Sequence, residues 1–100
     1  MKISFVQSGG FAGIIRGCDL DTEQLDKKEA KKLLDMVQSS GVRTAGLKRS
    51  KPRPDVIQYR LTFLDESGEQ EIVFDDMSVS DQVYPLVEYL QRLSKPRKPS

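Results

Sequence analysis

A lone thiol, scattered carboxylates and one glycine-rich loop are the groups in this chain whose types could do chemistry. Each lacks the partner that its chemistry needs. Cys18 is the only cysteine and there is no histidine. A catalytic thiol is normally activated by a neighbouring base, and the usual general base near neutral pH is imidazole. A zinc site takes several His and Cys ligands, which one cysteine does not supply. Cys18 therefore reads as a small apolar filler in a strand. Asp19 and Asp21 read as the entry to a helix, not as an acid/base dyad. Asp75 and Asp76 lack the alternating oxygen donors of a calcium loop and read as a solvated strand face. No catalytic residue, no metal ligand and no cofactor is assigned, and the chain is read as a non-enzyme.

The loop is more informative. Ser8-Gly9-Gly10-Phe11-Ala12-Gly13 carries three glycines in five positions around one phenylalanine. It lacks the G-x-G-x-x-G order and joins strand to strand, whereas a phosphate cradle leads from strand into helix. A plain hairpin turn accounts for Gly9 and Gly10, since tight turns demand positive φ. Phe11 is left over: an aromatic at the shoulder of a tight turn either caps the core or stands out as an anchor.

Basic residues form the other candidate surface. Arg43, Lys48, Arg49, Lys51 and Arg53 cluster in one loop and Lys95, Arg97 and Lys98 near the end of the chain, although the net charge is only +1. Such segments can attract nucleic acid, so a small nucleic-acid-binding module using the 43–53 loop and the tail is the alternative reading. They carry no interleaved aromatics to stack on bases, which makes nucleic acid the weaker partner.

These groups must be held by a fold, and periodicity supplies one. Residues 2–7 and 11–18 read as strands joined by a hairpin. A three-residue loop pairs Phe5 with Gly13 and Ile3 with Ile15, whereas a Gly-Gly loop pairs Phe5 with Ile14. Asp21, with Gln24 three residues on, resembles an N-cap. Ala30, Leu33, Leu34 and Val37 follow as a helical stripe that Gly41 ends. Residues 42–54 form a long proline-bearing loop with Leu47 near its tip. Val56–Leu64 and Glu71–Asp75 make a second hairpin around Asp65-Glu66-Ser67-Gly68. Val83, Leu86, Val87, Leu90 and Leu93 mark a second helix, with Pro85 tolerated in its first turn. Met36, Met77 and the tyrosines read as packing. The fold expected is α+β: a four-stranded antiparallel sheet in ββαββα order with two helices packed on one face. Residues 1–93 make one domain, and 94–100 a basic disordered tail. No apolar run approaches the roughly 20 residues of a membrane span, and a cytoplasmic location is the default.

The run from Ser8 through Gly9-Gly10-Phe11-Ala12-Gly13 to Ile14, followed by Arg16 and the Asp21-Thr22 turn, resembles the emfourin family. Pro54-Asp55 before the Tyr59-bearing strand, and the closing Val83–Leu93 helix, resemble it too. Its members are small bacterial proteins that inhibit protealysin, a thermolysin-like zinc metallopeptidase. The resemblance implies a protease inhibitor, monomeric when free, whose partner is such a peptidase. It makes Ser8 to Gly13 the segment that enters or covers the cleft, with Phe11 as apolar anchor. Leu47 and the 42–54 loop are the competing contact within the same class.

Overall fold

The computed structural model describes residues 1–9, 15–48 and 56–97. Strand β1 (Lys2–Gly9) is followed by β2 (Ile15–Asp21), helix α1 (Lys27–Ser40), β3 (Ile57–Asp65), β4 (Gly68–Asp75), helix α2 (Tyr84–Leu93) and a short β5 (Lys95–Arg97). All the pairings are antiparallel, in the order β4-β3-β1-β2-β5. The first strand is thus central, paired with β2 on one side and along its whole length with β3 on the other.

Alternation decides which face is covered. Ile3 and Phe5 of β1, Tyr59, Leu61 and Phe63 of β3, and Ile72 and Phe74 of β4 point to one side and are buried. There they join Leu33 and Val37 of α1 and Leu86, Val87 and Leu90 of α2 in a single cluster. Phe5 stacks on Tyr59 at 5.9 Å between ring centroids, and Tyr59 tilts against Phe74 at 5.3 Å. Lys2, Arg60, Glu71 and Glu69 stand exposed on the other face, which neither of the described helices covers. The two helices lie on one face of the sheet as expected; β1, β3 and β4 overlap the strands that periodicity predicts, whereas β2 runs on to Asp21, beyond the expected end at Cys18.

Four expectations are corrected. The sheet has five strands, not four, because Lys95–Arg97 adds to the edge of β2 where a disordered tail was expected. Pro96 is accommodated there because an edge strand needs hydrogen bonds on one side only. Ser94, which precedes it, is buried and donates to the Leu90 carbonyl at 2.7 Å. The register of β1 on β2 is also different: Phe5 faces Cys18, Ile3 faces Leu20 and Gln7 faces Arg16. Cys18 and Leu20 thereby share the buried face with Phe5 and Ile3, and the period of two rejects a pairing that wastes them. Phe5 therefore does not sit over Gly13.

The helix start moves as well. Asp21 ends β2, where its carboxylate accepts from the Glu23 N–H. The N-cap is Asp26, whose side chain accepts from the Glu29 N–H at 2.8 Å, and Gly41 closes the helix in the left-handed conformation. Both aspartates satisfy backbone donors locally, so the residue type marked the region but not the position. Finally, Asp75 is buried, while Met77 and Tyr84, read as packing, are 68% and 44% exposed.

Candidate functional site

The last matched row of the helix-covered face lies just below the point where β1 leaves the sheet. It runs Arg16, Gln7, Tyr59, Phe74 across β2, β1, β3 and β4. Helix α2 grips this row. The Gln91 amide donates to Gln7 Oε1 at 2.9 Å and lies 3.4 Å from the Tyr59 hydroxyl. Arg16 Nη2 donates to the Ser94 carbonyl at 3.3 Å. The two legs of the β1–β2 hairpin are thus each tied to the C-terminal end of α2, through directly opposed residues.

The third member of the row is locked from the far side. Tyr59 Oη donates to Asp76 Oδ1 at 2.6 Å. Burial raises the Tyr59 pKa well above the ordinary phenol value, and the hydrogen bond to Asp76 adds to the shift. A phenol beside a carboxylate stays protonated because its anion would be both desolvated and repelled. Gln91, Tyr59 and Asp76 therefore form a hydrogen-bonded chain that fastens α2, β3 and the end of β4 beneath the hairpin.

Gly9 is the residue at which the chain leaves this base. Its φ is +94°, and a Cβ there would stand 2.7 Å from the Val56 carbonyl oxygen. The close approach reflects its pairing with Ile57 at the start of β3. Ser8, paired with Gln58, is half-buried, and Gly9 is exposed. Gly10, Phe11, Ala12 and Gly13 lie outside the described residues. Leu47 is half-buried and packs against the hydrophobic core, so its side chain is partly committed to the fold.

The clamp leaves only a faint trace in the sequence. Gln91 stands one turn after Val87, on the stripe that α2 turns towards the sheet, and a polar side chain there was the available signal. Arg16 had a comparable signal, since it shares the parity of Cys18 and Leu20. Asp76 had none, because its role depends on where the Tyr59 hydroxyl ends.

The remaining recesses are shallow. One of about 430 Å³ at the opposite end of the sheet is lined by Lys2, Asp19, Asp21, Thr62, Leu64 and Glu69. Among the described residues no three His, Cys, Asp or Glu side chains are grouped to hold a metal ion. None of the described helices is long and apolar enough to cross a membrane.

The fold is thus a small α+β scaffold in which β1 and β2 are each fastened, at one end of the sheet, to the C-terminal end of α2. The chain belongs to the Emfourin family, whose model matches residues 5–91 and so most of its length. This is a family of inhibitors, directed at protealysin-type metallopeptidases. No curated protein and no solved structure matches the chain.

Proposed function

We propose that this protein inhibits a thermolysin-like zinc metallopeptidase by seating the Ser8–Gly13 hairpin in or over the active-site cleft. The observation that carries the reading is the clamp: Gln7 held by Gln91, and Arg16 by the Ser94 carbonyl. A segment that leaves a fixed base loses less conformational entropy when it binds, and preorganisation of this kind raises affinity without adding contacts. Phe11 supplies the apolar group for a cleft that favours bulky apolar residues, and the glycines let the main chain approach closely. The inhibitor acts as a monomer in the cytoplasm, and its zinc-dependent target needs no metal ligand from this chain. The 42–54 loop is the weaker contact, because Leu47 already packs on the core.

Titration of a protealysin-type peptidase with the wild-type chain and with Phe11→Ala and Gly10→Val tests the reading. Both variants are expected to inhibit more weakly while keeping the wild-type melting temperature. Full inhibition by both, with folding intact, removes the hairpin from the mechanism.

A further inference from the structure

Among the described residues, Met77 is the most exposed of the large apolar side chains, at 68%. The turn that carries it is fully built. The buried Asp75 carboxylate accepts from the Met77 and Ser78 N–H groups, both at 3.0 Å. Ser78 Oγ accepts from the Asp75 N–H at 3.0 Å, and the Val79 N–H donates to the Asp75 carbonyl at 3.1 Å. The backbone on both sides of Met77 is therefore fixed, and the side chain is held out from it. Tyr84, 44% exposed, opens α2 directly afterwards, with its N–H donating to the Ser80 carbonyl.

A single exposed methionine needs no explanation by itself. Its place in the fold is what gives this one a role. The Asp76 N–H donates to the Ile57 carbonyl at 3.0 Å, and Ile57 is the partner of Gly9. The turn thus leaves the sheet at the same end as the hairpin, two strands away, or about 10 Å at the usual strand spacing. A stable protein–protein interface covers roughly 800 Å² on each partner, some 20–30 residues. Six hairpin residues do not supply that area, so a peptidase seated on the hairpin must also cover its neighbours. Methionine is enriched in interface cores and adapts its shape to an irregular surface.

We propose that Met77 is a second apolar anchor of the inhibitor, packing on an apolar patch at the rim of the peptidase cleft while the hairpin occupies the cleft. Tyr84 extends the same contact. The proposal rests on the inhibitor reading above, and it adds a surface that the hairpin alone does not contain.

The test uses the full chain, a purified protealysin-type peptidase and a fluorogenic peptide substrate. Met77→Lys is expected to raise the inhibition constant roughly ten- to a hundredfold, the range that loss of one buried apolar side chain gives. Its melting temperature should stay at the wild-type value, because the side chain is solvated in the free protein. As an independent readout, mild peroxide should convert Met77 to its sulfoxide more slowly in the complex than in the free inhibitor. A wild-type inhibition constant for Met77→Lys, or equal oxidation rates, overturns the second anchor; weakened inhibition by Phe11→Ala would then leave the hairpin reading standing. If the wild-type chain fails to inhibit, the inhibitor reading falls first and this proposal falls with it.

Discussion

Replacing Gly9 by alanine puts the base of the hairpin under direct test. At φ +94° a side chain is strained whatever space surrounds it, at about 1–3 kcal/mol. The new Cβ would also meet the Val56 carbonyl oxygen at 2.7 Å. That oxygen belongs to backbone, so β1 and β3 must separate locally and weaken the Gly9–Ile57 pairing, at about 1 kcal/mol more. The sum is about 2–4 kcal/mol, a large part of the roughly 5–15 kcal/mol that holds a domain together. With about 4–8 °C per kcal/mol for a domain near this size, Gly9→Ala should lower the melting temperature by at least about 8 °C. Gly41→Ala is the control. Gly41 has a φ of +65°, and an added Cβ would meet nothing within 4 Å, so only the conformational cost applies, about 1 kcal/mol. Melting followed by circular dichroism compares the two, and inhibition titrations at a temperature where both are folded compare their action. The close approach to Val56 predicts Gly9→Ala to be the less stable protein, and the proposed seating of the hairpin predicts it to be the weaker inhibitor. If it melts no lower than Gly41→Ala, the close approach to Val56 does not constrain the hairpin.

Three further outcomes are expected. Gln91→Ala removes the donor shared by Gln7 and Tyr59; it should cost about 1 kcal/mol, seen as a lower melting temperature, and should weaken inhibition more than that loss of stability accounts for. The Tyr59 pKa is raised in the folded state by burial and by Asp76, so its contribution is complete below the ordinary phenol value near 10 and is lost as pH climbs above it. Urea titrations between pH 8 and pH 11, roughly spanning that value, should show stability falling on the alkaline side, with a smaller fall in Tyr59→Phe. Asp65 behaves oppositely: the Ser67 hydroxyl and N–H, and then Arg43, hold its carboxyl below the usual carboxylate range. Its contribution is present above the unfolded-state pKa and disappears as pH falls through the lower folded value, so Asp65→Asn should flatten the acid limb of the stability profile.

The class of fold is legible in local pattern alone. Period-two runs in Lys2–Gln7, Val56–Leu64 and Glu71–Asp75, and the 3.6-residue stripe of α2, identify faces that must be buried. One covered sheet face is the way to bury them together. The family is legible in the same way, because the Ser8–Gly13 segment and its surroundings are local features that survive without a structure. The register of the hairpin was decided elsewhere. Glycines between two strands permit several loop lengths, and the choice fell to Cys18 and Leu20, which had to meet Phe5 and Ile3 on the buried face. The fifth strand was hidden for a similar reason. Lys95-Pro96-Arg97 has neither periodicity nor strand propensity, and it pairs only because Ser94 is buried at the end of α2 and directs the chain along β2. The same tertiary arrangement made the clamp. Gln7, Arg16, Tyr59, Asp76 and Gln91 come from separate stretches of chain, and only the packing of α2 across the end of the sheet brings their polar groups within hydrogen-bonding distance.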